Sequence, residues 1–223
     1  MDLKNCVLTR KSVRAYKATP VAKELLTGIL DEARLSPSCA NTQPWEFAVF
    51  GGQTMEEMRK AYRERFLSGA APNPEIPYPF MAWPEPFRSR RLALSRKQYL
   101  LLGIDPSNND QVKQYSLRGF GFFEAPNGII IYISDTLPAW SILDVGIVLQ
   151  TILLSAHNYG LGCCPQVQMV AYPDIIRRLM NIPSSKKIVV GVSIGYPDEE
   201  DIINKGVTDR LALDDMVTWH GIS

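Results

Sequence analysis

The sequence predicts a globular chain that mixes helices with strands, sized for one large domain or two small ones, and three observations predict it. Segments with apolar residues at helical spacing alternate with short runs rich in β-branched residues, so both kinds of element are present. Neither a Gly-x-Gly-x-x-Gly nor a Gly-x-x-x-x-Gly-Lys motif occurs, so neither a Rossmann unit nor a P-loop is supported. The chain has 223 residues, 46% hydrophobic and 21% charged, enough to bury roughly 70% of its unfolded surface without staples.

The elements follow in order. The first predicted helix is capped by Thr19, takes Pro20 in its first turn and carries Leu25, Leu26, Ile29, Leu30 and Ala33 as an apolar stripe. It ends at Ser36-Pro37, because a residue before proline is pushed out of the helical region. Residues 45–50 read as a short strand closed by Gly51-Gly52, and residues 54–66 as a helix. Residues 69–88 hold six of the sixteen prolines, interleaved with Tyr78, Phe80, Trp83 and Phe87. Missing backbone donors exclude helix or inner strand there. Four large aromatics predict a packed lid rather than a linker, within a lid-like insertion at about 69–123.

Residues 88–98 carry Arg88, Arg90, Arg91, Arg96 and Lys97 without an acid. They predict a helix to about residue 102, with a solvated face beside a site for anionic ligands. Residues 128–133 (GIIIYI) read as a buried strand. Residues 141–159 read as a helix apolar on nearly every side, which must be enclosed by its own domain or by a partner. Gly160 ends that helix in a left-handed position. Pro173 opens another helix, residues 188–194 (IVVGVSI) form a further strand, and the tail from Val207 is apolar enough to dock.

Composition narrows the function. A formal net charge of +1 offers no whole-molecule field for nucleic acid or anionic lipid. The most apolar stretch, residues 142–156, carries Asp144 and Gln150 and falls short of the roughly 20 residues that span a bilayer. The start, MDLKNCVLTRKSVR, lacks the apolar core of a signal peptide. A cytoplasmic protein with no nucleic-acid or membrane partner is expected. Cys6, Cys39, Cys163 and Cys164 form no CxxC, and with His157 and His220 as the two histidines no zinc spacing can be assembled. No Ser-His-Asp or Cys-His set stands out, and His157, on a buried helix, reads as a structural histidine.

Four clusters carry chemistry. In Arg10-Lys11-Ser12-Val13-Arg14, three cations and a hydroxyl suit an anionic group, and in an extended segment Arg10, Ser12 and Arg14 share one face. The loop at 36–45 offers small and amide side chains to a polar heterocycle. At 160–167, glycines and a proline shape the backbone behind the apolar helix. Last comes Thr208-Asp209-Arg210.

Taken together, these motifs resemble the flavin-dependent nitroreductase family. RKSVR at 10–14 resembles its N-terminal arginine-x-serine-x-basic signature. SPSCANTQPWEF at 36–47 resembles its loop ending in asparagine-x-glutamine-proline-tryptophan. DVGIVLQTILLSAHNYGLGCCPQ at 144–166 resembles its central dimer helix and the turn behind it. GYP at 195–197 and the late arginine complete the set. The middle, through FFEAPNG at 122–128, is most similar to the subgroup acting on nitrobenzoate-like aromatics.

The resemblance implies a single domain, residues 1–223, of the α+β class, with a central, mostly antiparallel sheet flanked by helices, in an intertwined homodimer binding FMN. Arg10, Ser12 and Arg210 would hold the FMN phosphate, with Lys11 nearby. Arg14 would lie by N1 and O2 of the flavin, where positive charge favours the reduced, anionic form. Pro37, Ser38, Cys39 and Asn41 would reach the other subunit's flavin, with Gln43 close by. Pro165, Gln166 and Val167 would run along the ring, one backbone N–H meeting N5. NAD(P)H would be the co-substrate and a small aromatic acceptor the second substrate, in a ping-pong cycle. Flavin N5 carries the hydride, so no catalytic side chain and no metal are expected. Trp83, Phe122, Phe123 and Arg88 are the expected substrate contacts. Thr208 stands where relatives carry a second phosphate-binding cation, and Lys11 or Lys205 is the expected substitute. The alternatives are other flavin chemistry on the same fold (enone reduction, dehalogenation, dehydrogenation) or FMN binding without turnover.

Overall fold

The computed structural model describes residues 1–78 and 82–222, so Phe80 lies outside the described residues. At its centre is a four-stranded sheet of β1 (Glu46–Gly51), β2 (Asn127–Ser134), β3 (Gly162–Gln166) and β4 (Lys186–Gly195). The order is β1-β2-β4-β3, and every pair is antiparallel. β2 is central and buried on both faces, which is why it reads as an unbroken apolar run. Its alternation then splits the core. Ile129, Ile131 and Ile133 face one cluster, built with α2 (Lys23–Ala33) and α6 (Ser141–Asn158). Ile130 faces the other, built with α3 (Gly52–Leu67) and α7 (Pro173–Met180).

Helix α6 is eighteen residues long, and by length and composition alone it could cross a bilayer. Here Val145, Val148, Ile152, Leu153 and Ala156 pack against the sheet. Gly160, at φ 76°, turns the chain out of it into β3.

Several expectations shift. Helix α2 starts at Lys23, not at Pro20, and Ala22 caps it without a side-chain bond. The Val21 N–H donates to Asn127 Oδ1 of β2 at 2.8 Å. That tertiary bond ties the entry segment to the sheet before the helix begins. Two helices escaped the sequence reading. α1 (Leu3–Thr9) is capped by Asp2, whose Oδ1 accepts from Asn5 N. α5 (Asn109–Phe120) is capped by Asn108, whose side chain accepts from the Asp110 and Gln111 N–H groups.

The proline-rich segment is anchored at its start. Asn73 N–H donates to Ala171 O at 2.9 Å, and the Tyr172 hydroxyl to Ala70 O at 3.1 Å. Glu75 accepts from the Arg177 guanidinium at 2.6 Å and from Ile188 N at 2.6 Å. The predicted basic helix is α4 (Phe87–Leu102), none of whose residues is buried. In the tail, Leu211 and Met216 line a cavity beside α4. Trp219 remains 61% exposed on the single chain.

Candidate active site

The segment 10–14 is laid along β3. Val13 N–H donates to Cys163 O at 3.0 Å, and Ser12 bridges Cys163 in parallel fashion. The close approach depends on Gly162, where a Cβ would sit 2.5 Å from a Val13 methyl. Val13 is buried, so its neighbours Ser12 and Arg14 turn the other way, and both line one cavity of about 580 Å³. Arg210 and Lys97 line it too.

Asn204 clamps this segment. Its Oδ1 accepts from Arg14 N at 2.8 Å, and its Nδ2 donates to Ala15 O at 2.8 Å and Asp198 O at 2.8 Å. It is 2% exposed. Sequence reasoning missed it, because a lone asparagine between Ile203 and Lys205 carries no pattern.

A second cavity, about 600 Å³, shares Arg14, Arg90 and Leu94 with the first. Cys164, Pro165 and Gln166 of β3 line it together with Trp83, Phe87 and Phe123, and Phe123 shares a buried cluster with Cys164. The Gln166 side chain donates to Gly119 O at 3.2 Å and accepts from the Ser193 hydroxyl. Those bonds fix the end of β3 against α5. Burial pushes the Cys163 and Cys164 thiols up, against the lowering pull of nearby arginines. Thiolate chemistry is therefore disfavoured here. Burial also raises the Tyr115 phenol, while Arg14 pulls it down.

The predicted site residues divide. Ser12, Arg14, Arg210, Pro165, Gln166, Trp83 and Phe123 line the joined cavities. Arg10 is half-buried beside them, close enough for its charge to act on Cys163, Cys164 and His157. Lys11 donates its ammonium to Asn204 O, and Lys205 lies 3.8 Å from Glu200. The additional cation at the Ser12–Arg210 end is instead Lys97, which pairs with Asp209.

Phe122 belongs to the core, fully buried with its ring 5.0 Å from that of Tyr62. Val167 packs against the same core. Arg88 is exposed and is not among the lining residues, whereas Arg90 and Arg91 are.

The loop holding Pro37, Ser38, Cys39, Asn41 and Gln43 sits over α6, away from both cavities of its own chain. Cys39 N–H donates to Asp144 Oδ1 at 3.1 Å, and Ser36 Oγ shares a 2.7 Å bond with Thr151 Oγ1. Ala40, Asn41 and Gln43 all have positive φ (49°, 56° and 46°). A bond from Gln43 N–H to Ser38 Oγ at 2.9 Å braces the turn.

The donor set suits a ligand with a phosphate at one end and a flat ring at the other. Two hydroxyls, of Ser12 and Thr208, and four cations, Arg14, Arg90, Lys97 and Arg210, line one cavity against a single carboxylate, Asp209, and the cations match the fork and point-charge donors that grip phosphate oxygens. The adjoining cavity is lined by the end of β3 together with aromatic rings. Among the described residues no cluster could hold a metal ion.

Comparison with known proteins bears on this arrangement. The model of the nitroreductase family matches residues 7–196. The chain is 34% identical to a 4-nitrobenzoate reductase of Pseudomonas putida, over 91% of this chain and 88% of the relative. It is 32% identical to a nitrobenzene nitroreductase of Ectopseudomonas oleovorans, over 94% and 93% of the two chains. Its fold superposes with a TM-score of 0.90 on the FMN- and NADPH-dependent nitroreductase NfnB of Sphigopyxis sp. strain HMH, 29% identical and covering 100% of both chains.

Proposed function

The chain belongs to the nitroreductase family, and we propose that it is an FMN-dependent oxidoreductase passing electrons from NAD(P)H to a nitroaromatic or similar small organic acceptor. One observation carries this reading: the joined cavity, cationic where Arg14, Arg90, Lys97 and Arg210 line it with Ser12, and ring-lined where β3 adjoins Trp83 and Phe123. FMN, when bound, supplies the hydride-transfer chemistry.

The chain's own residues bind and orient. Ser12 and Arg210 would hold the phosphate, with Lys97 adding charge and Arg10 and Lys11 close by. Arg14, held at its backbone by Asn204, sits where the cavities join and would place positive charge against the ring's pyrimidine side. The backbone of 165–167 would run along the ring. No side chain serves as nucleophile or base. NAD(P)H and acceptor would take turns in the same aromatic cavity, as a ping-pong cycle requires.

The working unit is a homodimer. Leu143 on α6 is 55% exposed and Leu8 on α1 is 72% exposed, which leaves apolar surface for a second copy to cover. The loop at 37–43 would then reach the partner's flavin. Four free cysteines suit a reducing compartment, the cytoplasm, where NAD(P)H is supplied.

The test is direct. The purified protein is expected to be yellow, to release about one FMN per chain on denaturation and to oxidise NAD(P)H faster when a nitroaromatic is added. Protein that stays colourless after incubation with FMN refutes the reading. Flavin uptake without acceptor-dependent turnover favours a storage or sensing role instead.

A further inference from the structure

We propose that the aromatic cavity is selective for acceptors bearing a carboxylate, with Arg91 as the specificity-determining residue and Arg90 in support. The inference rests on the oxidoreductase reading and names the substrate class of that same site. The relatives do not decide the charge, since one is named for a nitrobenzoate and another for neutral nitrobenzene. The cavity does.

Three guanidinium groups line it, those of Arg14, Arg90 and Arg91, and among the described residues no carboxylate does. Arg14 and Arg90 are shared with the phosphate end, whereas Arg91 faces the aromatic cavity alone. Arg90 lies over the Phe87 ring at 5.4 Å, a contact that leaves its N–H fork available. Arg91 is half-buried, and its guanidinium makes no ion pair or hydrogen bond among the described residues. The indole N–H of Trp83, which lines the same cavity, is buried and lacks an acceptor among the described residues.

A neutral ring entering this space strips water from an unpaired cation and gives nothing back, which is costly. An aromatic carboxylate restores the lost hydrogen bonds as a bidentate pair with the fork. The phosphate groups of the nicotinamide nucleotide share that anionic chemistry, so the experiment must separate the two sources.

Steady-state kinetics of the holoenzyme with 4-nitrobenzoate and its neutral isostere 4-nitrobenzamide separate them, run with NADH and with NADPH. Arg91→Ala is expected to raise KM for 4-nitrobenzoate roughly tenfold or more, the loss of one charge-assisted pair. KM for 4-nitrobenzamide and for both nucleotides should stay within about twofold, and flavin content should not change. Arg91→Lys, which keeps the charge and loses the fork, should fall between. Equal losses for the two acceptors overturn the proposal, as does a rise in nucleotide KM in place of that for 4-nitrobenzoate. If the protein takes up no FMN, the oxidoreductase reading fails separately. Calorimetry with benzoate and benzamide then decides the subsite: benzoate binding lost in Arg91→Ala upholds it, and equal binding of both refutes it.

Discussion

Arg14 stands where the two cavities meet, and its neighbours at either end do different work, so single substitutions should separate affinity from potential. A cation beside the ring interacts more strongly with the reduced, anionic form than with the oxidised one. Arg14→Ala is therefore expected to lower the flavin's reduction potential, read by equilibration with a reference dye. Arg210→Ala, at the phosphate end, should instead weaken FMN binding by roughly 1.5–3 kcal/mol, the worth of a charge-assisted bond, and leave the potential in place. Equal loss of affinity in both, with no shift in potential, would mean that these roles are misassigned. Asn204 acts one step back. Asn204→Ala takes the side-chain partner from the Asp198 carbonyl and the Arg14 N–H, and one of two donors from Ala15 O, and each unsatisfied buried group costs roughly 1–3 kcal/mol. Lower stability to urea and weaker FMN retention are expected together. Unchanged values for both would show that the clamp is dispensable.

At the scale of elements, what the sequence disclosed depended on whether a signal was local. The apolar run of β2 and the Gly160 stop of α6 are local, and both stand as read. The start of α2 is not, since it depends on the bond between Val21 and Asn127, 106 positions apart. Helix α4 was legible from its basic pattern, yet the pattern could not tell Arg88, exposed, from Arg91, which lines a cavity. Phe122 was misassigned for a similar reason: adjacent phenylalanines read alike, and only the fold sends Phe122 to the core and Phe123 to the cavity wall. The docking of α1 on α6 was invisible, because it runs through Thr9 Oγ1 and His157 Nε2, 2.8 Å apart. Desolvation, aided by Arg10 and Lys11, holds the His157 imidazole below its ordinary 6.5. Between the folded and unfolded values the unfolded chain binds more protons, so this contribution to stability is full above pH 6.5 and falls as pH drops through that window. Wild type should lose more stability than His157→Gln between pH 7.5 and pH 5, measured by urea titration. Parallel losses would remove His157 from the account.

Several large apolar side chains stand exposed on the lone chain, some of them on two helices that touch, α1 and α6. Leu3 and Leu8 on α1 are each 72% exposed, Leu143 on α6 is 55% exposed, and Trp219 in the tail is 61% exposed. Helix α4 fully buries none of its sixteen residues, although Arg91, Leu94, Ser95, Gln98 and Tyr99 form a half-buried face, and a helix so thinly covered draws little stability from its own domain. Asp144 adds a polar argument, since among the described residues Oδ2 is buried without a partner while Oδ1 accepts from Cys39 N–H. Scattered apolar residues on a monomer are ordinary, but Leu143 adjoins Asp144, the residue that holds the loop at 37–43. A second copy laid against α6 would cover them and bring the loop at 37–43 towards the partner's flavin site, which no contact within one chain achieves. An obligate interface of this kind buries more than about 2,000 Å². Sedimentation at micromolar concentration is therefore expected to show two chains. Leu143→Lys, placing a charge on the exposed side of α6, should yield monomers that retain helical circular dichroism and lose FMN, because each flavin site then lacks its second chain. A monomer that still binds FMN stoichiometrically and turns over would show that one chain completes the site by itself.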